Sequence, residues 1–182
     1  LQRTNLDACI VAAVDSCANA STLHWLEQCD RLKTPQNSNG VIPGEAASAV
    51  LVLRKPYGNS FAMKVSGMGF AKEQSHVMSE DPFLGLGLAK ASRLALAESG
   101  DSLHEVSFRL SDATGESYGF KEQALLLSRV MRGRRKDFPI WHCAESIGDT
   151  GAAAGVCHMV SAFQAFARGY APGDRAMAFG SS

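Results

Sequence analysis

Continuous apolar runs alternate along this chain with segments of helical spacing. The runs at 8–14 and 47–53 hold mostly small apolar residues, the pattern of strands that are buried on both faces of a sheet. Shorter apolar runs predict further strands at 61–70, 106–110, 138–143 and 175–179. Apolar positions at helical spacing predict helices at 21–29, 84–99, 121–131 and 156–168. This alternation, with glycine turns where strands end, predicts an α/β fold with helices packed on a mixed sheet.

The last helix is preceded by a segment that has almost no side chains. Residues 151–155 are glycine and alanine only, although each glycine costs a helix about 1 kcal/mol relative to alanine. We therefore expect another backbone to approach this end of the helix. Asp149 or Thr150 is predicted to cap it, because a short side-chain oxygen accepts from the free N–H groups of the first turn.

This segment resembles the Gly-His-Thr-x-Ala-Ala-Ala-Gly element of the β-ketoacyl synthases, the condensing enzymes of the thiolase superfamily. Here it reads Gly148-Asp149-Thr150-Gly151-Ala152-Ala153-Ala154-Gly155. The glycines and alanines agree with the family element, but Asp149 stands where the family has histidine. Ala144 stands where the family has a lysine just before the motif.

Two other segments resemble ketosynthase signatures in the same order along the chain. Arg31, Gly40, Gly44 and Glu45 fall in step with an Arg-Pro-Phe-Asp segment followed by Asp-Gly-Phe-Val-x-Gly-Glu-Gly-Ala. Residues 112–116 lie over the family's Asn-Ala-His-Gly-Thr, which puts Thr114 at the position of its first histidine.

The resemblance implies a thiolase-like layered sandwich, with helices packed between mixed β-sheets. We expect an incomplete fragment of it, corresponding to the part downstream of the nucleophilic cysteine. Residues 1–55 would be the end of the N-terminal thiolase-like half, and residues 56–182 the C-terminal half. Cys9 and Cys17 follow the predicted place of the nucleophile, so neither is a candidate for it.

The resemblance also implies the residues of the site, and it implies neither a cofactor nor a metal. The candidate catalytic residues are Thr114, Asp149 and Glu116, with Asp149 or Glu116 as a possible general base. The candidate substrate-binding residues are Gly148, Thr150, Phe179 and Gly180. Family members stabilise a thioester enolate with two histidine donors, whereas an ionised aspartate cannot donate and repels an anion.

Three hypotheses about function follow from these replacements. The first is a divergent acyltransferase or condensing enzyme that acts on acyl thioesters of acyl carrier protein or coenzyme A. The second is a non-catalytic subunit that shapes an acyl pocket beside a ketosynthase partner. The third is that Thr114 and Asp149 only cap helices and form turns. The resemblance implies either a homodimer or a pair with a ketosynthase.

Composition excludes some other classes of function. The 18 basic and 18 acidic side chains leave no net charge, which gives no electrostatic case for binding nucleic acid or an anionic membrane. The cluster 132–136 is basic, and reads as a solvated helix end or as a docking patch for an acidic carrier. No apolar run is long enough to span a membrane. The five cysteines form no CxxC pair, which indicates free thiols in a reducing compartment such as the cytoplasm.

Overall fold

The structure, a computed structural model, describes residues 6–181 of the chain. Within these residues lie five strands and five α-helices. In chain order they are β1 Ala8–Ser16, α1 Ala20–Gln28, β2 Glu45–Leu53, α2 Leu86–Ser99, β3 Phe108–Ser111, α3 Ser117–Val130, β4 Ile140–His142, α4 Ala144–Ile147, α5 Ala154–Ala167 and β5 Ala176–Phe179. A 3₁₀ turn, Gly151–Ala153, leads into α5. The four predicted helices and five of the six predicted strands are confirmed, with ends that shift by a few residues.

The strand predicted at 61–70 is wrong, because this segment packs on a helix and makes no strand ladder. A Cβ added to Gly67 would lie 2.1 Å from the carbonyl oxygen of Ala95 in α2, so only glycine permits this approach. The Met68 N–H donates to the Glu98 carboxylate of the same helix at 2.9 Å. The segment is therefore held by helix contacts instead of by a neighbouring strand.

Strands β1 and β2 form an antiparallel pair in which Ala8 lies opposite Leu53 and Ser16 lies opposite Glu45. The other three strands form a parallel sheet in the order β4-β3-β5. All four residues of the central strand β3 are buried, which is the expected environment of a parallel strand with helices on both faces.

Two apolar clusters fix the layers of the molecule. On one face of the parallel sheet, Leu88 and Ala89 of α2 and Leu126 of α3 pack with Phe179 of β5. On the other face, α5 packs on β3 through a cluster of Phe108, Leu110, Ala162 and Ala165. Helix α5 also contacts β1 and β2. The layers therefore run from α2 and α3 through the parallel sheet and α5 to the β1–β2 pair, as a layered sandwich requires.

One face of the β1–β2 pair lies open within the described part of the chain. Alternate residues of the two strands form it, namely Ala8, Ile10, Ala12, Val14, Ala47, Ala49, Leu51 and Leu53. Ile10, Val14 and Leu51 are 72%, 76% and 63% exposed. Strands buried on both faces were predicted, but here α5 lies on one face only. We call this surface the open β1–β2 face.

Candidate functional site

The turn that carries Asp149 is held by backbone contacts with the loop before β2. Helix α4 ends at Ile147 and is followed by Gly148, which has a φ of +71°. The Asp149 N–H donates to the Ile42 carbonyl at 2.7 Å, and the Gly44 N–H donates to the Asp149 carbonyl at 2.8 Å. A Cβ on Gly44 would lie 1.8 Å from the Ile147 carbonyl oxygen. This backbone approach at Gly44 and Gly148 lies just before the segment 151–155 where it was expected. Within that segment, a Cβ on Gly151 would meet the Asp15 side chain, and a Cβ on Gly155 would meet nothing within 4 Å.

Two carboxylates bind the free N–H groups of the 3₁₀ turn that leads into α5. Asp149 Oδ1 accepts from the Gly151 N–H at 2.9 Å, so the predicted cap is on this turn, whereas α5 itself has no side-chain cap. Thr150 makes no capping hydrogen bond. Asp15, at the end of β1, accepts from the Ala152 N–H at 2.8 Å. This backbone hydrogen bond is the main reason that the pKa of Asp15 lies below its ordinary value.

Glu116 forms a bidentate ion pair with Arg31. Its Oε1 and Oε2 accept from Arg31 Nε and Nη2, both at 2.7 Å. Both side chains are largely buried, with 14% of Glu116 and 19% of Arg31 exposed. The hydrogen bonds to Glu116 raise the pKa of Arg31, to which the charge of Asp149 adds. Half-buried Thr114 lies between this ion pair and Asp112 along the same loop.

A narrow cleft brings Asp112 and the Asp149 turn together. It is lined by Asp112, Cys143, Ala144, Gly148, Asp149, Thr150, Ala154 and His158. Its volume is about 10 Å³, which is the room of one water molecule. Three predicted site residues, Gly148, Asp149 and Thr150, line this cleft, whereas Thr114 and Glu116 do not.

The remaining two predicted residues lie at the end of β5. Phe179 is 4% exposed and packs in the core with α2 and α3, which gives it a structural role in the sheet. Exposed Gly180 is next to Ser181, whose N–H donates to Asp112 Oδ2 at 2.6 Å. The substrate contacts of Phe179 and Gly180 stay predictions.

The cleft combines carboxylates with a neutral imidazole. Burial, together with the nearby charge of Asp149, raises the pKa of Asp112 to about 6, although the Ser181 N–H opposes this change. His158 is 1% exposed, and neither of its ring nitrogens meets a hydrogen-bond partner in the structure. Burial lowers its pKa, even though the nearby Ser111 backbone acts in the opposite direction. His158 is therefore uncharged at neutral pH.

Cys17 lies beside Gly151, the residue that follows Asp149 and Thr150. A Cβ on Gly151 would lie 3.3 Å from its Sγ. Burial and the charges of Asp149 and Asp15 raise the pKa of the Cys17 thiol. A thiol that resists ionisation is a poor nucleophile, which agrees with its exclusion as a candidate.

The described residues contain no group of three or more His, Cys, Asp or Glu side chains arranged to hold a metal ion. No helix in residues 6–181 has the length and apolar character needed to cross a membrane. The five cysteines are free and half-buried.

Comparisons with solved structures identify the architecture. A chain of the ketosynthase ApeO in complex with its chain length factor ApeC, from Xenorhabdus doucetiae, superposes with a TM-score of 0.75 at 22% identity. That match covers 90% of this chain and 40% of the other. The chain has a ketosynthase fold. The ishigamide ketosynthase/chain length factor gives a TM-score of 0.74 at 19% identity, over 95% of this chain and 47% of that one.

A third ketosynthase-like neighbour is a type II polyketide synthase assembly, AntDE:AntF, described as an acyl-carrier protein in complex with its ketosynthase bound to the hexaketide. It gives a TM-score of 0.70 at 14% identity, over 87% of this chain and 43% of that one. This chain therefore spans less than half the length of the ketosynthase structures that it matches. No family model matches its sequence, and no curated protein matches it either.

Three cleft residues, Asp112, Cys143 and His158, were not predicted from the sequence. His158 belongs to the buried stripe of α5 with Ala162 and Ala165, at spacings of four and seven residues. A histidine in an otherwise small and apolar stripe was the signal available for it. Asp112 and Cys143 each follow a strand of the parallel sheet, and their meeting depends on β3 lying beside β4.

Proposed function

We propose that this chain is part of a ketosynthase-like subunit that does not condense acyl thioesters itself. The subunit would pair with an active ketosynthase and shape the pocket for the acyl chain. One observation carries the proposal: the cleft at Asp149 has room for about one water and is lined by two carboxyl groups. A thioester does not fit in this space, and an enolate there would meet negative charge.

The charge argument has a definite size. Two unit charges about 4 Å apart repel by roughly 4 kcal/mol at an effective dielectric of 20. A barrier raised by this amount slows the reaction by nearly a factor of 10³, before the loss of the two histidine donors is counted. Asp112 has a pKa of about 6 and is mostly ionised at neutral pH, so it adds to the negative charge of Asp149. His158 is uncharged and does not offset these carboxylates.

A divergent condensing enzyme or acyltransferase is the second candidate. The two general bases considered from the sequence already accept hydrogen bonds within the protein. Arg31 donates to both oxygens of Glu116, and the Gly151 N–H donates to Asp149. The observation that favours catalysis is Asp112, since a carboxyl with a pKa near 6 suits a general base at physiological pH.

The comparisons support the choice of partners in this proposal. Two of the similar structures pair a ketosynthase with a chain length factor, and a third holds an acyl-carrier protein. We therefore propose that the subunit meets acyl groups on acyl carrier protein or coenzyme A. It would work in the cytoplasm, as a pair with a ketosynthase or as a homodimer. Residues 1–55 and 56–182 would belong to its two thiolase-like halves.

Decarboxylation of malonyl-coenzyme A by the full-length protein tests the proposal. We expect no turnover above the uncatalysed rate, and a rise in the double variant Thr114→His with Asp149→His if the site is a degenerate ketosynthase site. Adding the protein to a ketosynthase of the same organism should change the length of the product chains. Brisk turnover by the wild-type protein alone would overturn the proposal and favour the condensing enzyme.

A further inference from the structure

A buried arginine without a counter-ion lies beside the basic cluster 132–136. Arg109, in the central strand β3, is 6% exposed. Its Nη2 donates to the Phe138 carbonyl at 3.0 Å, whereas its Nε meets no hydrogen-bond partner in the structure. Buried polar atoms are normally hydrogen-bonded, and buried charges are normally paired with an opposite charge. Arg109 therefore has an unused hydrogen-bond donor and an uncompensated charge.

Arg135 of the basic cluster brings a second guanidinium group to the same place. The guanidinium carbons of Arg109 and Arg135 lie 4.3 Å and 4.7 Å from the centroid of the Phe138 ring, so they are no more than about 9 Å apart. Arg135 Nη1 donates to the backbone carbonyls of His104 and Val106, which fixes this side chain against the loop before β3. Burial, and then the charge of Arg135, lowers the pKa of Arg109. Neutral groups therefore hold two cations close together.

The acidic side chains around these arginines do not neutralise them. The loop before β3 carries Asp101 and Glu105, but these pair with Arg175 at 3.6 Å and 3.7 Å. Asp137, which follows the basic cluster, is exposed and forms no ion pair with any residue from 6 to 181. Within the same residues, neither guanidinium group has a carboxylate partner. The two charges are therefore available to an anion from outside the described part of the chain.

We propose that Arg109 and Arg135 bind a phosphate dianion, the group that free phosphate and phosphate monoesters share. A phosphate monoester carries about −1.5 to −2 charges at neutral pH, which matches two guanidinium groups better than the single charge of a carboxylate does. The planar guanidinium fork donates two parallel hydrogen bonds to phosphate oxygens. One phosphate that accepts from both forks at about 2.8 Å spans the distance between them.

This phosphate site lies at the opposite end of the parallel sheet from the narrow cleft. Arg109 is the second residue of β3, and Phe138 comes just before β4. Asp112 and Cys143, which line the cleft, follow the other ends of the same two strands. Three residues of a strand cover about 10 Å, which separates the backbone of Arg109 from that of Asp112. The proposal therefore does not depend on the function proposed above.

Isothermal titration calorimetry of the full-length protein at pH 8 tests the site, with sodium phosphate compared with sodium chloride at the same ionic strength. We expect one phosphate bound per chain and no binding heat from chloride. Arg109→Met and Arg135→Met should each raise the dissociation constant for phosphate about 10- to 100-fold, since each removes a charge-assisted hydrogen-bonding partner. Arg132→Met is the matched control at an exposed position of the same cluster, and should change the constant by less than about fivefold.

Thermal unfolding supplies a second measurement. A ligand that binds only the folded state stabilises it, so phosphate should raise the Tm of wild type and of Arg132→Met more than chloride does, and should lose this effect in Arg109→Met. If circular dichroism shows that Arg109→Met or Arg135→Met does not fold, Arg135→Lys decides instead. It keeps the charge but loses the fork, so it should weaken phosphate binding, whereas Arg132→Lys should leave it unchanged.

A phosphoserine peptide separates the two sources of the phosphate group. Tighter binding of the peptide than of inorganic phosphate would support the site and assign its ligand to a modified protein. Equal or weaker binding of the peptide would support the site and assign its ligand to a small phosphate. Equal heats from phosphate and chloride, equal losses in the Arg109 and Arg132 variants, or no phosphate binding by the full-length protein would overturn the proposal.

Discussion

Glu122 is a buried carboxylate whose charge should make the protein less stable at high pH. It lies on α3 and is 4% exposed. Burial, followed by the charges of Asp112 and Glu73, raises its pKa from 4.5 to about 7, although the Ser181 side chain opposes this change. We therefore expect Glu122→Gln, which keeps the shape of the side chain and removes the charge, to stabilise the protein above pH 7.

The sign follows from the direction of the pKa change. The folded pKa of Glu122 lies above its unfolded value, so its contribution to stability is fully present below about pH 4.5 and is lost as the pH rises through about 7. A pKa of about 7 in place of 4.5 is equivalent to about 3 kcal/mol in full. Between pH 5 and pH 8 the part that changes is about 2 kcal/mol. Glu122→Gln has no charge to bury and therefore does not lose this stability as the pH rises.

Urea unfolding of both proteins at pH 5 and pH 8 measures the effect. The difference in free energy of unfolding between Glu122→Gln and wild type should be about 2 kcal/mol larger, in favour of the variant, at pH 8 than at pH 5. Glu27→Gln, at an exposed position of α1, is the matched control and should change stability by less than about 0.5 kcal/mol at either pH. If Glu122→Gln shifts stability equally at both pH values, or is less favourable at pH 8, the reasoning about its buried charge is refuted.

Three further predictions follow from close packing, an ion pair and exposed surface. Gly44→Ala should lower the free energy of unfolding by about 1–3 kcal/mol, because its Cβ would meet a backbone carbonyl at 1.8 Å. Gly155→Ala, in open space on α5, should raise it by about 0.5–1 kcal/mol, and equal stabilities of the two variants in thermal unfolding would contradict this. A double-mutant cycle of Arg31→Met and Glu116→Gln should give a coupling energy of about 1–3 kcal/mol, and a value near zero would count against the ion pair. This chain, expressed alone, should bind a hydrophobic dye through the open β1–β2 face and bind less of it after Leu51→Ser; a dye-silent monomer would exclude that surface.

The strands and helices of the layers were predictable because their residues repeat with a clear period. The run at 8–14 became β1, and the helical spacing at 156–168 became most of α5. The segment at 61–70 failed because Gly67 packs on α2, and that contact outweighs the local preference for a strand. Sequence alone does not tell a glycine that weakens a strand from one that permits close packing on a helix.

The candidate site was predictable only where a segment resembles a ketosynthase element. Gly148, Asp149 and Thr150 were predicted because residues 148–155 resemble such an element. Asp15 could not be found in this way, because its carboxylate meets the Ala152 N–H across 137 residues of sequence. His158 could not be found from the apolar positions of α5, because a pattern of apolar residues does not mark a polar residue in the same buried stripe.

The position of α5 between the two sheets makes folding depend on a late part of the chain. Strand β1 ends at Ser16 and β2 at Leu53, yet the helix that packs on them begins at Ala154. A ribosome must therefore add about a hundred residues after β2 before this layer can close. Such non-local contacts slow folding, since a long loop must be ordered before the contacts form. During that interval both faces of the β1–β2 pair are exposed, so we expect chaperones to bind this segment while the chain is being synthesised.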